Sequence, residues 1–309
     1  MSVLLARVAE DLYWSARYLE RADVTARIIK EYTNLLVDLP REVMSSWRPL
    51  LAIVGTAEEL AGEQEIMEFL IAADDHPGSI AECIRLAREN LRRCREIIPL
   101  DAWFVVNDLH LYTVSNAGDG LSRRGRIRFL DRISAEHQRL VGILAGTMLR
   151  DEAYSMTRLG RHLERADMTT RVLDVRASVL SPDRPEHERA YDALQWSSVL
   201  RTLAASQMFH RTHRQPDNGE AVTRFALHEP RLPRSVTYCL SAARDEVQRL
   251  PAPDRAVAAC DRALRTLAAI DPTANPISLH DQADRLQHAI GEVHASLTET
   301  YFRGPDGAS

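Results

Sequence analysis

The sequence predicts an all-α protein, a multi-helix bundle of about eight to ten helices formed by two duplicated halves. Apolar residues recur at helical spacing through most of the chain, alternating strand patterns are scarce, and one charged motif occurs twice. The 309 residues, 45% of them hydrophobic and 27% charged, suit a globular protein. We expect a single domain over residues 1–309, with repeats at approximately 1–149 and 150–303 and a disordered tail at 304–309.

The helices are separated by segments rich in proline, glycine and polar residues. The last helix shows the clearest apolar stripe, with steps of three and four residues from Leu279 to Leu297, and Ser278 or a neighbour is its expected cap. The expected breaks are Leu39-Pro40, His76-Pro77-Gly78, Ile98-Pro99, Asn116 to Gly125, Ser181 to Pro185, Arg214 to Gly219, Glu229 to Pro233, Pro251 to Pro253 and Asn275-Pro276.

An internal duplication accounts for three matching segments in the same order. Residues 17–27 (RYLERADVTAR) and 161–171 (RHLERADMTTR) agree at eight of eleven positions. Downstream, a helix face beginning at Trp47 matches one beginning at Trp196, and the segment from Phe69 to Ile84 matches that from Phe225 to Leu240. We expect the halves to pack about a pseudo-two-fold axis around a shared core. The alternative is two independent helical domains joined near Leu149.

Serine residues open corresponding helices in the two halves. Ser79 follows a helix-breaking segment, and with Glu82 three residues later it fits a capping box. Ser235 holds the matching position but is followed by Tyr238, which predicts a cap without the reciprocal contact.

The repeated motif places its charges on one flank of a helix. At 100° per residue, the apolar face carries Leu12, Leu19, Ala22, Ala26 and Ile29. Surface charges usually diverge between duplicates, so their repetition predicts fixed partners. Either the two motif helices interlock through Arg–Glu pairs, or the arginines grip a carboxylate or phosphate. The candidate residues of this network are Arg17, Glu20, Arg21, Asp23, Arg27, Arg161, Glu164, Arg165, Asp167 and Arg171.

Other polar clusters give weaker signals. His210 and His213, and the series His280, Asp284 and His288, have ligand-like spacing, but no Glu-x-x-His pair supports a helical di-metal site. We therefore predict no metal and no cofactor. The Gly-rich basic segment 116–126 lacks a Walker ending and is interpreted as a surface loop or a docking loop for an acidic partner. The intervals between Cys83, Cys94, Cys239 and Cys260 suit neither a zinc site nor a disulfide framework, so reduced thiols are expected.

Composition and motifs also exclude several classes of function. The net charge of −5 gives no support for binding nucleic acid or an anionic membrane. The longest apolar stretch, Leu140 to Leu149, is far shorter than the roughly 20 residues of a membrane span, and the N-terminus lacks a signal-peptide core. Neither a G-x-S-x-G element nor a Rossmann fingerprint occurs, so no catalytic residue is assigned. A cytoplasmic location is expected.

The motifs are similar to those of the bacterial alpha-E family. The resemblance rests on the opening segment from Leu5 to Asp23 and the central segment from Thr147 to Thr169, with Trp103 and the Pro233-Arg-Ser-Val sequence in support. One departure is His162, where the family more often has tyrosine. The resemblance implies an all-helical protein found beside, or fused to, a circularly permuted ATP-grasp protein and a transglutaminase-like peptidase. The positions that match its Glu-Arg motif are Glu20, Arg21, Glu164 and Arg165.

Three functions follow as expectations. The first is a non-enzymatic accessory subunit of an ATP-grasp-type amide ligase, which docks the ligase or presents an acidic substrate. The second is a free-standing helical enzyme that binds a carboxylate or phosphate in a cleft between the halves, with Glu20 or Glu164 as acid or base. The third is a purely structural module, such as a homo-oligomer.

Overall fold

The computed structural model describes residues 4–40, 43, 46–56, 58, 60, 62–180, 186–213, 217–274 and 276–303. Within these residues it contains fourteen α-helices, two π-helical turns and no strand, which confirms the all-α prediction. The helices are α1 (Ala6–Asp38), α2 (Arg48–Val54), α3 (Glu63–Met67), α4 (Ile80–Arg93), α5 (Leu100–Leu121), α6 (Arg126–Thr147), α7 (Glu152–Val179), α8 (Glu186–Arg189), α9 (Asp192–Thr202), α10 (Ser206–Thr212), α11 (Gly219–His228), α12 (Val236–Val247), α13 (Asp254–Ala268) and α14 (Pro276–Leu297). The π-helical turns Glu68–Ala72 and Thr298–Phe302 continue α3 and α14.

The helix count exceeds the predicted eight to ten. Four of the helices, α2, α3, α8 and α10, have seven residues or fewer. Elements of that length complete two turns at most, so apolar periodicity cannot reveal them.

Two boundary predictions were wrong. The expected break from Asn116 to Gly125 is helical through Leu121, because α5 continues across two glycines. A Cβ atom at Gly120 would lie 2.9 Å from the ring of Phe129, so this glycine allows close packing between α5 and α6 rather than a turn. Ser278 lies inside α14, which begins at Pro276, so it is not the cap; the neighbouring position 275 lies outside the described residues. The predicted break at 181–185, residues 214–216 of the next one and the tail at 304–309 also lie outside them.

The two motif helices, α1 and α7, form the centre of the fold. Their contacts advance together, from the amide of Leu4 with Glu152 to the guanidinium of Arg21 with Glu164, so the helices run in the same direction. The predicted apolar face of α1 is buried, and so is the predicted stripe of α14. The closest approach is at Gly160, where a Cβ atom would lie 2.1 Å from the carbonyl oxygen of Tyr13.

The remaining long helices surround this pair. Helices α4 and α6 pack on α1, while α12 and α14 pack on α7. Helix α5 lies outside α4 and α6, and α13 lies against α12 and α14. Within the described ranges, no helix combines the length and the apolar character that crossing a membrane requires.

The predicted serine caps are present on α4 and α12. The Ser79 hydroxyl accepts a hydrogen bond from the amide of Glu82 at 3.0 Å, and that of Ser235 accepts one from the amide of Tyr238 at 3.1 Å. Glu82 directs its carboxylate to Arg85. These caps fix the chain entry to both helices beside the motif.

Candidate functional site

The carboxylate of Glu164 on α7 is held by two arginines from α1. Arg21 places Nε 2.5 Å from Oε1 and Nη2 3.1 Å from Oε2, a bidentate pair, and Arg17 places Nε 2.6 Å from Oε2. The Glu164 side chain is fully buried. Burial alone would raise the pKa of Glu164, but Arg17 and Arg21 outweigh it and lower that pKa from 4.5 to about 2.

Glu20 on α1 has the reciprocal arrangement with α7. Arg165 donates from Nε and Nη2 to its two carboxylate oxygens, both at 2.8 Å. The second arginine is different, since Arg234 comes from the turn before α12 and donates to Glu20 at 2.9 Å. These guanidiniums overcome the effect of burial and hold the pKa of Glu20 far below its ordinary value.

The two aspartates of the motif have unequal surroundings. Asp23 accepts hydrogen bonds from Arg27 at 2.9 Å and from Arg234 at 2.8 Å. His137 lies between the two carboxylates of the first motif, 3.5 Å from Glu20 and 3.4 Å from Asp23. Asp167 accepts from Arg171 at 2.9 Å. Burial raises the pKa of Asp167, whereas burial is outweighed at Asp23, whose pKa is lowered.

The guanidiniums of Arg21 and Arg165 also bind the turns that precede the two serine-capped helices, α4 and α12. The third nitrogen of Arg21 donates to the carbonyl of Pro77 at 3.1 Å, and that of Arg165 to the carbonyl of Pro233 at 3.2 Å. The thiols of Cys83 and Cys239 contact the same two carbonyls. Burial raises the pKa of both thiols to about 12, so neither is a ready nucleophile. The motif therefore joins both turns to the central helix pair.

Arg161 is the motif residue that this network does not engage. It is largely buried, yet among the described residues it donates no hydrogen bond and contacts no carboxylate, and its Nε is a buried donor without a partner. The matching residue of the first motif, Arg17, is paired with Glu164. All ten candidate residues thus lie around the α1–α7 contact, and nine of them make ion pairs there.

Sequence reasoning missed two members of the network. Arg234 aligns with Gly78 in the first half, so the repeat gave no sign of it. His137 lies on α6, outside the matching segments. Both reach Glu20 and Asp23 through tertiary packing, which motif spacing does not reveal.

The structure brings together only part of the other predicted clusters: His280 and Asp284 lie close to each other, with Asp174 as a third residue that the sequence did not indicate. Asp174, His280 and Asp284 carry ligand-type atoms within 4.8 Å of one another, and His280 Nδ1 lies 2.9 Å from Asp174. The Asp174 contact raises the pKa of His280, as expected of an ordinary imidazolium–carboxylate pair. His210 contacts Asp217 at 2.9 Å, while His213 stacks on Phe209 at 4.3 Å between ring centroids. His288 lies 3.7 Å from Glu292.

Two arginines of the Gly-rich basic segment form ion pairs with another residue of the chain. Arg126 is 1% exposed, donates to the carbonyls of Gly120 and Leu121 at the end of α5, and pairs with Glu63 at 2.9 Å. Arg123 also pairs with Glu63. The last four carbonyl groups of any α-helix have no hydrogen-bond partner within the helix, and Arg126 binds two of them at the end of α5.

A family model described as "a predicted alpha-helical domain with a conserved ER motif" matches residues 4–302. The chain belongs to the Alpha-E family. The two Glu-Arg pairs of the repeated motif, Glu20-Arg21 and Glu164-Arg165, are the centre of the ion-pair network in this Alpha-E protein.

The Alpha-E chain is also similar to longer uncharacterized proteins of Mycobacterium bovis and Mycobacterium tuberculosis. They are 24% identical over 95% of this chain. The chain spans only 36% of their length. No solved structure matches it.

The geometry limits what the Glu-Arg motif of this Alpha-E protein can do chemically. Glu20 and Glu164 accept hydrogen bonds from arginines at both oxygens, and their low pKa values leave no proton to donate at neutral pH. The guanidiniums of Arg21 and Arg165 are each already bound to a carboxylate of the chain. The arrangement fixes the position of α1 against α7.

Proposed function

We propose that this protein is a non-enzymatic accessory subunit that docks a partner protein through helix α5. The observation that carries the proposal is an apolar stripe on the outer face of that helix. Leu100, Phe104, Leu111 and Val114 follow one another at steps of four, seven and three residues, so they share one face. They are 62%, 50%, 54% and 67% exposed. Several exposed apolar side chains on one helix face are typical of interaction sites.

The charges beside this α5 face favour a different protein over a second copy. Asp101 and Asp108 are exposed along one flank of the stripe. In an antiparallel pair of α5 helices centred on the stripe the same flanks meet, so Asp108 would lie beside Asp108 of the copy, and such like-charge contacts are costly. A partner helix with an apolar face and a lysine- or arginine-bearing flank fits better. The homo-oligomer alternative is disfavoured for this face.

The partner class comes from the family resemblance. We propose a cytoplasmic circularly permuted ATP-grasp amide ligase, with a transglutaminase-like peptidase as a further member of the assembly. The greater length of the mycobacterial relatives supports a role beside other protein units, since about two thirds of each relative lies outside the matching region. The free-standing enzyme is less well supported, because its intended acid, base and anion-binding groups are paired with one another.

Co-purification from the native host tests both parts of the proposal. The tagged chain is isolated without crosslinking, and its companions are identified and quantified by mass spectrometry. We expect an ATP-grasp protein in near-stoichiometric amount. If the chain is recovered alone, the accessory function is wrong; if it is recovered with a different protein, the docking role stands and the ligase assignment is wrong.

A paired variant tests the surface. Replacing Phe104 and Leu111 by glutamate puts two charges into the apolar face, and we expect it to abolish recovery of the partner. Val37→Glu on α1 is the control, because Val37 is 83% exposed and lies outside this face. Circular dichroism and the thermal midpoint should match the wild type in both variants, since all three side chains are at least half exposed. Retained binding in the double variant would assign the partner to another surface.

A further inference from the structure

Arg161 is a largely buried cation without a counter-ion among the described residues. Its Nε has no hydrogen-bond partner. Burial and the neighbouring charge of Arg165 lower its pKa, and the more distant attraction of Glu20 only partly offsets them. Buried arginines are normally paired, because an isolated charge is expensive to remove from water. A largely buried arginine that no carboxylate contacts therefore requires an explanation.

The explanation begins with the carboxylate that Arg161 would be expected to bind. By analogy with Arg17 and Glu164, the partner of Arg161 is Glu20. Glu20, however, is already bound by Arg165 at 2.8 Å and by Arg234 at 2.9 Å, and His137 lies 3.5 Å from its second oxygen. Arg234 thus takes the place that Arg161 would have occupied. Arg161 lines a pocket instead.

That pocket is small and mostly apolar. Its volume is about 30 Å³, and it lies between α1, α4, α6, α7 and the start of α5. Its polar side chains are Arg161, Ser15, Thr157 and His137. Its wall is apolar and includes Leu19, Leu91, Ile98, Leu140, Val141 and Leu144.

The neighbouring polar groups do not neutralise Arg161. The Ser15 hydroxyl donates to the carbonyl of Leu12 at 2.8 Å, and that of Thr157 donates to the carbonyl of Ala153 at 3.0 Å. Their oxygen lone pairs are weak partners for a guanidinium compared with a carboxylate. His137 is oriented between Glu20 and Asp23. The pocket therefore combines one positive charge that no carboxylate contacts with an apolar wall.

We propose that this pocket binds a small monocarboxylate with a short aliphatic chain. The planar fork of Arg161 matches the two oxygens of a carboxylate, and one negative charge balances its single positive charge. The leucines, valine and isoleucine of the wall contact the aliphatic chain. A doubly charged phosphate ester would need a second free cation. The nearest candidates are committed, since Arg158 pairs with Glu246 at 2.7 Å and Arg165 with Glu20.

The size of the pocket sets the length of the ligand. A volume of about 30 Å³ holds roughly two water molecules, which is enough for a carboxylate group beside the arginine. The aliphatic chain must then extend along the apolar wall toward the solvent. Binding should strengthen from formate to acetate to butyrate as more apolar surface is covered. This inference does not depend on the docking function of α5.

Calorimetry and NMR with sodium formate, acetate and butyrate test the site, with sodium chloride at equal ionic strength as the reference. We expect butyrate to raise the thermal midpoint of the wild type and to give a shifted, saturable signal from a ¹³C-labelled carboxylate. Stabilisation by a ligand that binds only the folded state follows directly from mass action. If the carboxylates have no effect beyond that of chloride, the proposal is wrong.

Variants assign the effect to Arg161. Arg161→Met keeps the length and apolar stem of the side chain, so we expect it to lose the butyrate shift and to raise the thermal midpoint without ligand. Val141→Phe, which fills the pocket and keeps the charge, should also lose the shift. Arg95→Met is the matched control and should retain it, because Arg95 is 64% exposed at its side chain. An undiminished butyrate shift in Arg161→Met would contradict the assignment. If Arg161→Met does not fold, Val141→Phe provides the test.

Discussion

At the scale of single residues, the partner decides the role of a motif position. Arg17 and Arg161 occupy the same place in the two motif copies, yet Arg17 is paired with Glu164 and Arg161 faces an apolar pocket. The repeated sequence motif identified the ten charged residues and predicted that they lie close together. It could not predict their partners, because Arg234 arrives from a distant turn and changes the pairing of Glu20.

Removing one buried carboxylate should be costly. Glu164→Gln keeps the shape of the side chain but leaves Arg17 and Arg21 without a charged partner, so we expect the free energy of unfolding to fall by about 3–5 kcal/mol. Urea denaturation measures the loss. Glu96→Gln is the control, since Glu96 is 88% exposed at its side chain and should change stability by less than about 0.5 kcal/mol. Similar small losses in both variants would show that the network is not a structural lock.

The same carboxylate predicts an acid dependence. The pKa of Glu164 is lowered from 4.5 to about 2 in the folded chain, so its contribution is fully present above pH 4.5 and disappears as the pH falls through about 2. The difference in unfolding free energy between the wild type and Glu164→Gln should therefore shrink progressively below pH 4.5. Urea titrations at decreasing pH measure it. A difference that grows on acidification would contradict the sign of this linkage.

At the scale of helices, sequence periodicity predicted the long elements and failed at the short helices and at the glycine-containing end of α5. The apolar stripes of α1 and α14 are buried as expected, and both serine caps are formed. The end of α5 was misplaced because Gly118 and Gly120 resemble a loop in isolation. Only the position of the Phe129 ring on α6 shows why a glycine is needed at position 120.

Gly160 is a second glycine whose role depends on a neighbouring helix. A Cβ atom there would lie 2.1 Å from the carbonyl oxygen of Tyr13, so α1 and α7 would have to separate. We expect Gly160→Ala to lower the free energy of unfolding by roughly 3 kcal/mol, at the upper end for overpacking. Gly142→Ala in α6 is the control, because nothing lies within 4 Å of its Cβ position. That variant should be more stable by roughly 0.5–1 kcal/mol, and a stable Gly160→Ala would refute the close approach.

At the scale of the whole molecule, the ion pairs cross between the proposed repeats. Glu20 from residues 1–149 is held by Arg165 and Arg234, while Glu164 from residues 150–303 is held by Arg17 and Arg21. Each segment therefore supplies the counter-charges of the other. Two independent domains would have no reason for this exchange, and their buried carboxylates would be matched within each segment.

Separating the chain at its centre tests this interdependence. Leu149 is 77% exposed and lies between α6 and α7, so fragments 1–149 and 150–309 can be made without cutting a helix. Each fragment would expose to water the apolar face of α1 or α7 and would lose the carboxylate–arginine pairs that join these helices. We expect neither fragment to unfold cooperatively alone in circular dichroism, and an equimolar mixture to recover one transition. The mixture should lose this recovery when Glu164→Gln is introduced. A cooperative transition in either isolated fragment would instead identify an independent domain, and the shared core across α1 and α7 would then be an interface between two units that fold separately.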